Sequence, residues 1–192
     1  MVEDTKSVKR VAFLVAAEGI ERAELVEPWA AVTDAGHEAV LLSPASGEVQ
    51  LFEHLDAADT QAVDLTVGEA AVGDFDALVL PGGVANPDAL RTDAAAVAFV
   101  REFAESGKAV AAICHAPWTL IEADVVRGKQ LTSWPSLQTD LRNAGASWVD
   151  EKVVVDGNLI TSRNPDDIPA FNNALLEALH HGVGSAQSIS EA

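Results

Sequence analysis

The chain carries one cysteine, Cys114, in a setting that suits a reactive sulfur better than an inert one. Five small or apolar residues, 109–113, precede it, and His115-Ala116-Pro117 follows. The apolar run reads as a buried parallel strand, and Pro117 suits the first position of a helix. A thiol at that junction leaves the end of a strand and meets the positive end of a helix. That field favours thiolate, the nucleophilic form of sulfur. The chemistry expected is covalent attack by sulfur on an electrophilic carbon, with the imidazole of His115 beside it to move protons. A lone cysteine in an apolar run is by itself an ordinary small core residue. The junction and the adjacent histidine separate Cys114 from that class.

Two other segments bear on the same chemistry. Pro81-Gly82-Gly83 follows a second buried strand and on its own reads as a plain βα turn. Glycine there also admits a ligand close to the backbone, and the free N–H of Gly83, together with that of His115, could hold a developing oxyanion. Glu18, Glu21, Glu24 and Glu27 recur every third residue, a spacing that drifts around a helix and exposes most of them. Glu21 and Glu24 share a turn with Ile20 and Leu25, so one of them could face the sulfur. Ionised, it would repel a thiolate; protonated, it would donate a hydrogen bond to one, which requires a raised pKa. Spacing does not choose between the two. Asp88, after Asn86-Pro87, reads as a turn acid or a helix N-cap. His37, His54, His180 and His181 have no metal-ligand spacing, and no phosphate-cradling glycine loop is present, so no metal and no cofactor are expected.

The elements that must position these groups alternate. Strands are expected at residues 11–16, 38–43, 77–80, 109–113, 131–133, 153–155 and 159–162. Helices are expected at 20–35, 93–106, 117–123, 135–144 and 168–179, several of them closed by glycine. Residues 49–52 and 62–67 read as short strands of a β excursion, and Asp156-Gly157 as a hairpin turn. Alternation of this kind predicts a mostly parallel sheet with helices on both faces, whose chemistry collects at the carboxyl ends of its strands. Residues 16–19, 81–83 and 114–115 are three such ends. A single domain is expected over 9–180, with flexible tails at 1–8 and 181–192.

Composition narrows the function classes. Thirty acidic residues against twelve basic ones give a formal charge of −18. Such a surface repels phosphates and anionic lipid, so neither nucleic acid nor a membrane is an expected partner. No apolar run is long enough to span a bilayer, and a single cysteine permits no intrachain disulfide; together these predict a soluble protein of the cytoplasm. The acid excess further suggests a halophilic surface whose self-repulsion salt would screen.

Taken together, Ala112-Ile113-Cys114-His115-Ala116-Pro117, Leu78-Val79-Leu80-Pro81-Gly82-Gly83 and Gly19-Ile20-Glu21-Arg22-Ala23-Glu24-Leu25 resemble the ThiJ/PfpI superfamily, and its PfpI-type branch in particular. The likeness continues through Val125–Lys129, 143–146, 153–158 and 161–163. It implies a flavodoxin-like α/β sandwich, of the kind also found in class I glutamine amidotransferases, with Cys114 on a strained nucleophile elbow. It implies that Glu24 is the carboxyl partner of the sulfur, that Glu21 is a second pocket acid, and that the Gly83 and His115 N–H groups are the oxyanion donors. It further implies a homo-oligomer, dimer or hexamer, in which an acid at the position of Asp88 reaches the histidine of a neighbouring subunit. Trp118 and Trp134 are expected at the pocket mouth. The activities implied are glutathione-independent glyoxalase or deglycase chemistry on small carbonyls or glycated proteins and peptides. Intracellular cysteine peptidase action is the alternative, and oxidation of Cys114 in a stress sensor a non-enzymatic one. A glutamine amidotransferase would need a late His-Glu pair; His180-His181 lacks that context.

Overall fold

The structure, a computed structural model, describes residues 7–182. The chain runs β1 (Arg10–Leu14), β2 (Glu18–Glu21), α1 (Arg22–Asp34), β3 (Glu38–Ser43), β4 (Glu48–Glu53), β5 (Asp56–Ala62), β6 (Leu65–Thr66) and β7 (Ala77–Leu80). It continues through α2 (Ala85–Leu90), α3 (Ala94–Glu105), β8 (Ala109–Ile113), α4 (Pro117–Glu122), β9 (Gln130–Leu131), α5 (Gln138–Asn143) and β10 (Ser147–Trp148). It ends with β11 (Val153–Asp156), β12 (Leu159–Ser162) and α6 (Ile168–His181).

Seven strands form the central sheet in the order β11-β12-β8-β7-β1-β3-β6. All pairs are parallel except the hairpin β11–β12 at one edge. The central strands are apolar on both faces because helices cover both. Val11 and Phe13 of β1, Val79 of β7 and Ala111 of β8 pack with Leu25 and Val32 of α1 and with Phe171 and Leu175 of α6. Their alternates Ala12, Leu14, Leu78, Leu80 and Val110 pack with Phe99 and Phe103 of α3, Leu120 of α4 and Leu141 of α5. This is the sheet with helices on both faces expected from the alternation, and the flavodoxin-like sandwich that the resemblance implies. Among the described residues no helix is long and apolar enough to cross a membrane. The expected tails at 1–8 and 181–192 fall mostly outside the described residues.

The structure departs from the sequence-based expectations in four places. Residues 18–21 are a strand, although a helix was expected to begin at residue 20: β2 pairs in parallel with β4, with Ile20 opposite Leu51 and Glu21 opposite Phe52. Helical spacing of the glutamates does not register such pairing, which depends on β4 some thirty residues away. Residues 56–62, with their polar and acidic text, form β5, an exposed strand whose one strand partner is β4. Residues 65–66 pair with β3 at the edge of the central sheet instead of joining that excursion. Asn86-Pro87-Asp88, expected as a turn, lies inside the short helix α2.

Candidate active site

The site is assembled where β1, β7 and β8 end side by side. Cys114 follows β8 with φ of 63°, a left-handed conformation that side chains other than glycine adopt at a cost. The elbow is pinned on three sides. The Cys114 N–H donates to Ser162 O at 3.0 Å, its carbonyl accepts from Trp134 N–H at 2.9 Å, and the Ala116 N–H turns back to Ile113 O at 3.1 Å. These bonds over-determine the turn and aim Sγ away from the strand axis.

Glu24, in the first turn of α1, is completely buried. Its Oε2 accepts from the Gly82 N–H at 2.9 Å, while Oε1 has no well-formed hydrogen bond. The Cys114 side chain stands beside this carboxyl, both of them close against Gly82. Glycine at position 82 is what permits the approach: a Cβ there would stand 2.7 Å from Cys114 Cβ and against the Glu24 carboxylate. Gly83, at φ of 80°, is equally constrained, since a Cβ would meet the Gly19 carbonyl and the Glu21 N–H. The fully buried Asn86 clasps these loops together. Its Oδ1 accepts from Ala16 N–H at 2.7 Å, and its Nδ2 donates to Pro81 O and Gly82 O at 2.9 and 3.0 Å. Asn86 thus ties the end of β1 to the end of β7, a role its Asn-Pro context concealed.

The imidazole of His115 faces the sulfur, with Nδ1 3.2 Å from Sγ. Sequence adjacency did not guarantee that orientation. The ring is stacked on Trp134 at a centroid distance of 5.6 Å and tilted against Trp118 at 5.2 Å. Ser136 Oγ, which no sequence signal marked, lies 3.5 Å from Nε2.

Electrostatics at the site follow from burial. Removal from water pushes the Glu24 carboxyl up to about 8, with the nearby Glu21 adding to the effect. Burial and the Glu24 carboxylate raise the Cys114 thiol as well, opposed by the backbone N–H groups of His115 and Gly83. Burial lowers His115. The expected preference of the strand-to-helix junction for thiolate is opposed here by burial, and α4, which spans only six residues, has a small dipole to set against it. Proton occupancy at Glu24 instead decides the field at the sulfur, since a neutral carboxyl donates to it and an ionised one repels it. The N–H groups of Gly83 and His115 act first on the sulfur's own charge.

Cys114 opens into a cavity of about 630 Å³. Glu18, Glu21 and Glu24 form its acidic side, and Phe52 near the end of β4, with His54 and Leu55 of the turn that follows, forms a wall. Nothing in residues 52–55 of the sequence signalled this, because they reach the site only through β2–β4 pairing. Trp134 lines the cavity. Trp118 does not: it packs behind His115, half-buried, and donates to Asp140 Oδ2 at 3.0 Å. Asp88 is exposed on α2 and does not line this chain's cavity. Glu21 does, with its Oε2 accepting from His54 N–H at 3.1 Å.

A mostly parallel sheet covered on both faces, with a cysteine at a positive-φ turn on its carboxyl edge and a buried carboxyl nearby, defines a protein of the flavodoxin-like class. The family profile described as DJ-1/PfpI family matches residues 9–178, and the chain belongs to that family. It is 43% identical over 172 residues to "Protein/nucleic acid deglycase 2" of Escherichia coli strain K12, covering 89% of this chain and 98% of that one. It is 39% identical over 171 residues to "Putative cysteine protease YraA" of Bacillus subtilis strain 168, covering 89% and 98%. Among solved structures, Drosophila melanogaster DJ-1beta superposes with a TM-score of 0.82 at 31% identity, covering 92% of each chain.

Proposed function

We propose that this protein is a cysteine-dependent enzyme acting on reactive carbonyl compounds, with glyoxalase or protein deglycase-type chemistry. The observation that carries this reading is a thiol held at positive φ between a buried carboxyl and an imidazole nitrogen 3.2 Å away, at the floor of an open cavity. Relatives named deglycase, at about 40% identity, support it.

In this mechanism the sulfur of Cys114 attacks the aldehyde carbon of a dicarbonyl. The new C–S bond forms as the C=O π pair moves onto oxygen, and His115 Nδ1 takes the thiol proton. His115 is suited to this because burial keeps its imidazole neutral. A raised thiol beside a lowered imidazole disfavours a resting ion pair, so the proton moves with the attack and not before it. The N–H groups of Gly83 and His115 then lie beside the new oxyanion, which yields a hemithioacetal on protonation. His115 next moves the aldehyde-derived hydrogen, as a proton, from C1 to C2 through an enediol, leaving a thioester of the hydroxy acid. Water cleaves that thioester, restoring the thiol and releasing the acid. Overall the dicarbonyl gains one water and no external oxidant is needed. From a glycated side chain, departure of the amine or guanidine supplies the same carbonyl.

Peptidase action is the second reading, favoured by the relative named a putative cysteine protease and by apolar residues exposed around the cavity, Leu55 at 82% and Val84 at 56%. It asks more of the site, because His115 must also protonate a leaving amine. The deciding experiment measures hydroxy-acid formation from methylglyoxal, release of amine from glycated amino acids, and cleavage of peptides, each with wild type and Cys114→Ala. Carbonyl turnover lost in the variant supports the proposal. Turnover retained without the sulfur, or peptide cleavage alone, rejects it.

A further inference from the structure

The imidazole of His115 has two nitrogens, and the mechanism above uses one. Nδ1 faces Cys114 Sγ at 3.2 Å, and Nε2 faces Ser136 Oγ at 3.5 Å. Which nitrogen of a neutral imidazole carries the proton is set by the hydrogen bond that the other makes. The segment that brings Ser136 to the ring is tied to the elbow itself, because the Trp134 N–H donates to Cys114 O at 2.9 Å. Pro135–Leu137 is a single 3-10 turn, closed by the Leu137 N–H donating to Trp134 O at 3.1 Å and anchored by the fully buried Leu137 side chain. Trp134 stacks on the imidazole at an interplanar angle of 22°, and Trp118 packs against it at 60°. These rings restrict rotation of the imidazole and keep its Nε2 edge against Ser136. Of the charged groups around it, Glu21 and Glu24 line the same cavity. Asp140 and Arg91 act through Trp118: Asp140 accepts from Trp118 Nε1 at 3.0 Å, and the Arg91 guanidinium lies 5.9 Å from the indole centroid.

We propose that Ser136 is a positioning residue for His115: its hydroxyl accepts from Nε2–H and so leaves Nδ1 unprotonated towards the sulfur. The proposal rests on the reading of His115 as the base for Cys114. When the thiol proton arrives at Nδ1, the imidazolium keeps the same acceptor at Nε2, so the ring need not turn between proton transfers. A hydroxyl does this without charge. A carboxylate in its place would favour the imidazolium and with it a resting thiolate, whereas a neutral acceptor leaves the imidazole uncharged until attack begins. The group is supplied within the subunit, independently of any acid reaching the ring from a neighbouring one.

Nitrogen-15 NMR of the imidazole tests the proposal without turnover. The chain has five histidines, and the His115 signals are those lost in His115→Gln. At slightly alkaline pH, where this ring is neutral, wild type should show a protonated Nε2 and an unprotonated Nδ1. Ser136→Ala should shrink the separation between the two nitrogen shifts as the tautomers mix, and Ser136→Thr should restore it. Ser136→Asp should raise the pKa of His115 by about one unit or more. A proton on Nδ1 in wild type, an unchanged separation in Ser136→Ala, or an unmoved pKa in Ser136→Asp would overturn the assignment. So would Asp88→Asn producing the change that Ser136→Ala does not, since a neighbour's acid would then hold the ring. In a second arm, kcat/KM for methylglyoxal should fall about fivefold in Ser136→Ala, through kcat and with KM unchanged, and recover in Ser136→Thr. A wild type that turns over no carbonyl, with the ring signals as expected, would reject the enzymatic reading and leave the placement of Ser136 intact.

Discussion

Glu24→Gln tests whether the carboxyl against the sulfur is held neutral. In the folded protein Glu24 keeps its proton up to about pH 8, against an ordinary value of 4.5. Between those limits the unfolded chain releases this proton and the folded chain does not. Unfolding therefore becomes more favourable as pH rises, by about 1.4 kcal/mol per pH unit. The penalty is absent below pH 4.5, accumulates through the window, and reaches at most about 5 kcal/mol by pH 8. Glutamine cannot ionise, so the variant escapes it. The amide keeps an acceptor for Gly82 N–H and a donor towards Sγ, but it adds a buried N–H without a partner, a cost of about 1–3 kcal/mol at every pH. Wild type should thus be the more stable protein at pH 4.5 and the variant at pH 8, with the curves crossing near about pH 6. Urea unfolding of both proteins across this range reads the effect directly. The protein's many other carboxylates titrate identically in the pair and cancel from the difference. Parallel stability curves would mean that Glu24 ionises in the folded state as it does unfolded, and its role as proton donor to sulfur would fall.

Other perturbations probe the parts around that pair. Gly82→Ala forces a methyl group between Glu24 and Cys114; it should lower stability by about 2 kcal/mol or more in thermal melts and raise the rate constant for thiol alkylation at pH 7 as the sulfur loses cover. Asn86→Ala removes three buried hydrogen bonds and should cost about 3 kcal/mol by urea unfolding, with activity lost in proportion to misplacement of the Gly82–Gly83 loop. Because burial lowers His115 and the neutral imidazole is the active form, the acid limb of kcat/KM should lie below pH 6.5; a limb above it would contradict His115 as the base. With a net charge of −18, the thermal midpoint should rise in molar KCl relative to low salt, and an unchanged midpoint would end the halophilic reading.

The central sheet was legible because its signal is local. Buried parallel strands such as 77–80 and 109–113 are continuous apolar runs, and glycine or proline punctuates the helices between them. The same locality exposed Cys114, Gly83 and His115, which sit at strand ends by chain order alone. What stayed hidden depends on contacts between distant segments. The β2–β4 pairing sets Glu18 and Glu21, the latter expected in a helix, on one wall of the cavity and brings Phe52, His54 and Leu55 into another. Polar β5 carries no alternation strong enough to mark a strand and exists because β4 offers it an edge. Asn86 could be read as a turn residue until its side chain is seen bridging β1 and β7. Trp118, placed at the pocket mouth from its position near the elbow, instead packs behind His115 and donates to Asp140.

The fate of the thiol shows why position alone misleads. A strand-to-helix junction suggests activation by a helix dipole, yet the same junction buries the sulfur, and desolvation opposes charge more strongly than six residues of helix favour it. Two groups resolve the conflict from opposite sides. Glu24, itself kept neutral by burial, presents a donor where an ordinary glutamate would present a repelling charge. His115, at 3.2 Å, can accept the proton as sulfur bonds to carbon, so no free thiolate need accumulate. Under the proposed mechanism the sulfur stays protected until a carbonyl enters, and its reactivity with a bound electrophile should exceed what its bulk alkylation rate implies. Were simple alkylation by iodoacetamide as fast, relative to free cysteine, as carbonyl turnover is relative to the uncatalysed reaction, the thiolate would already be formed at rest and the coupled proton transfer would be unnecessary.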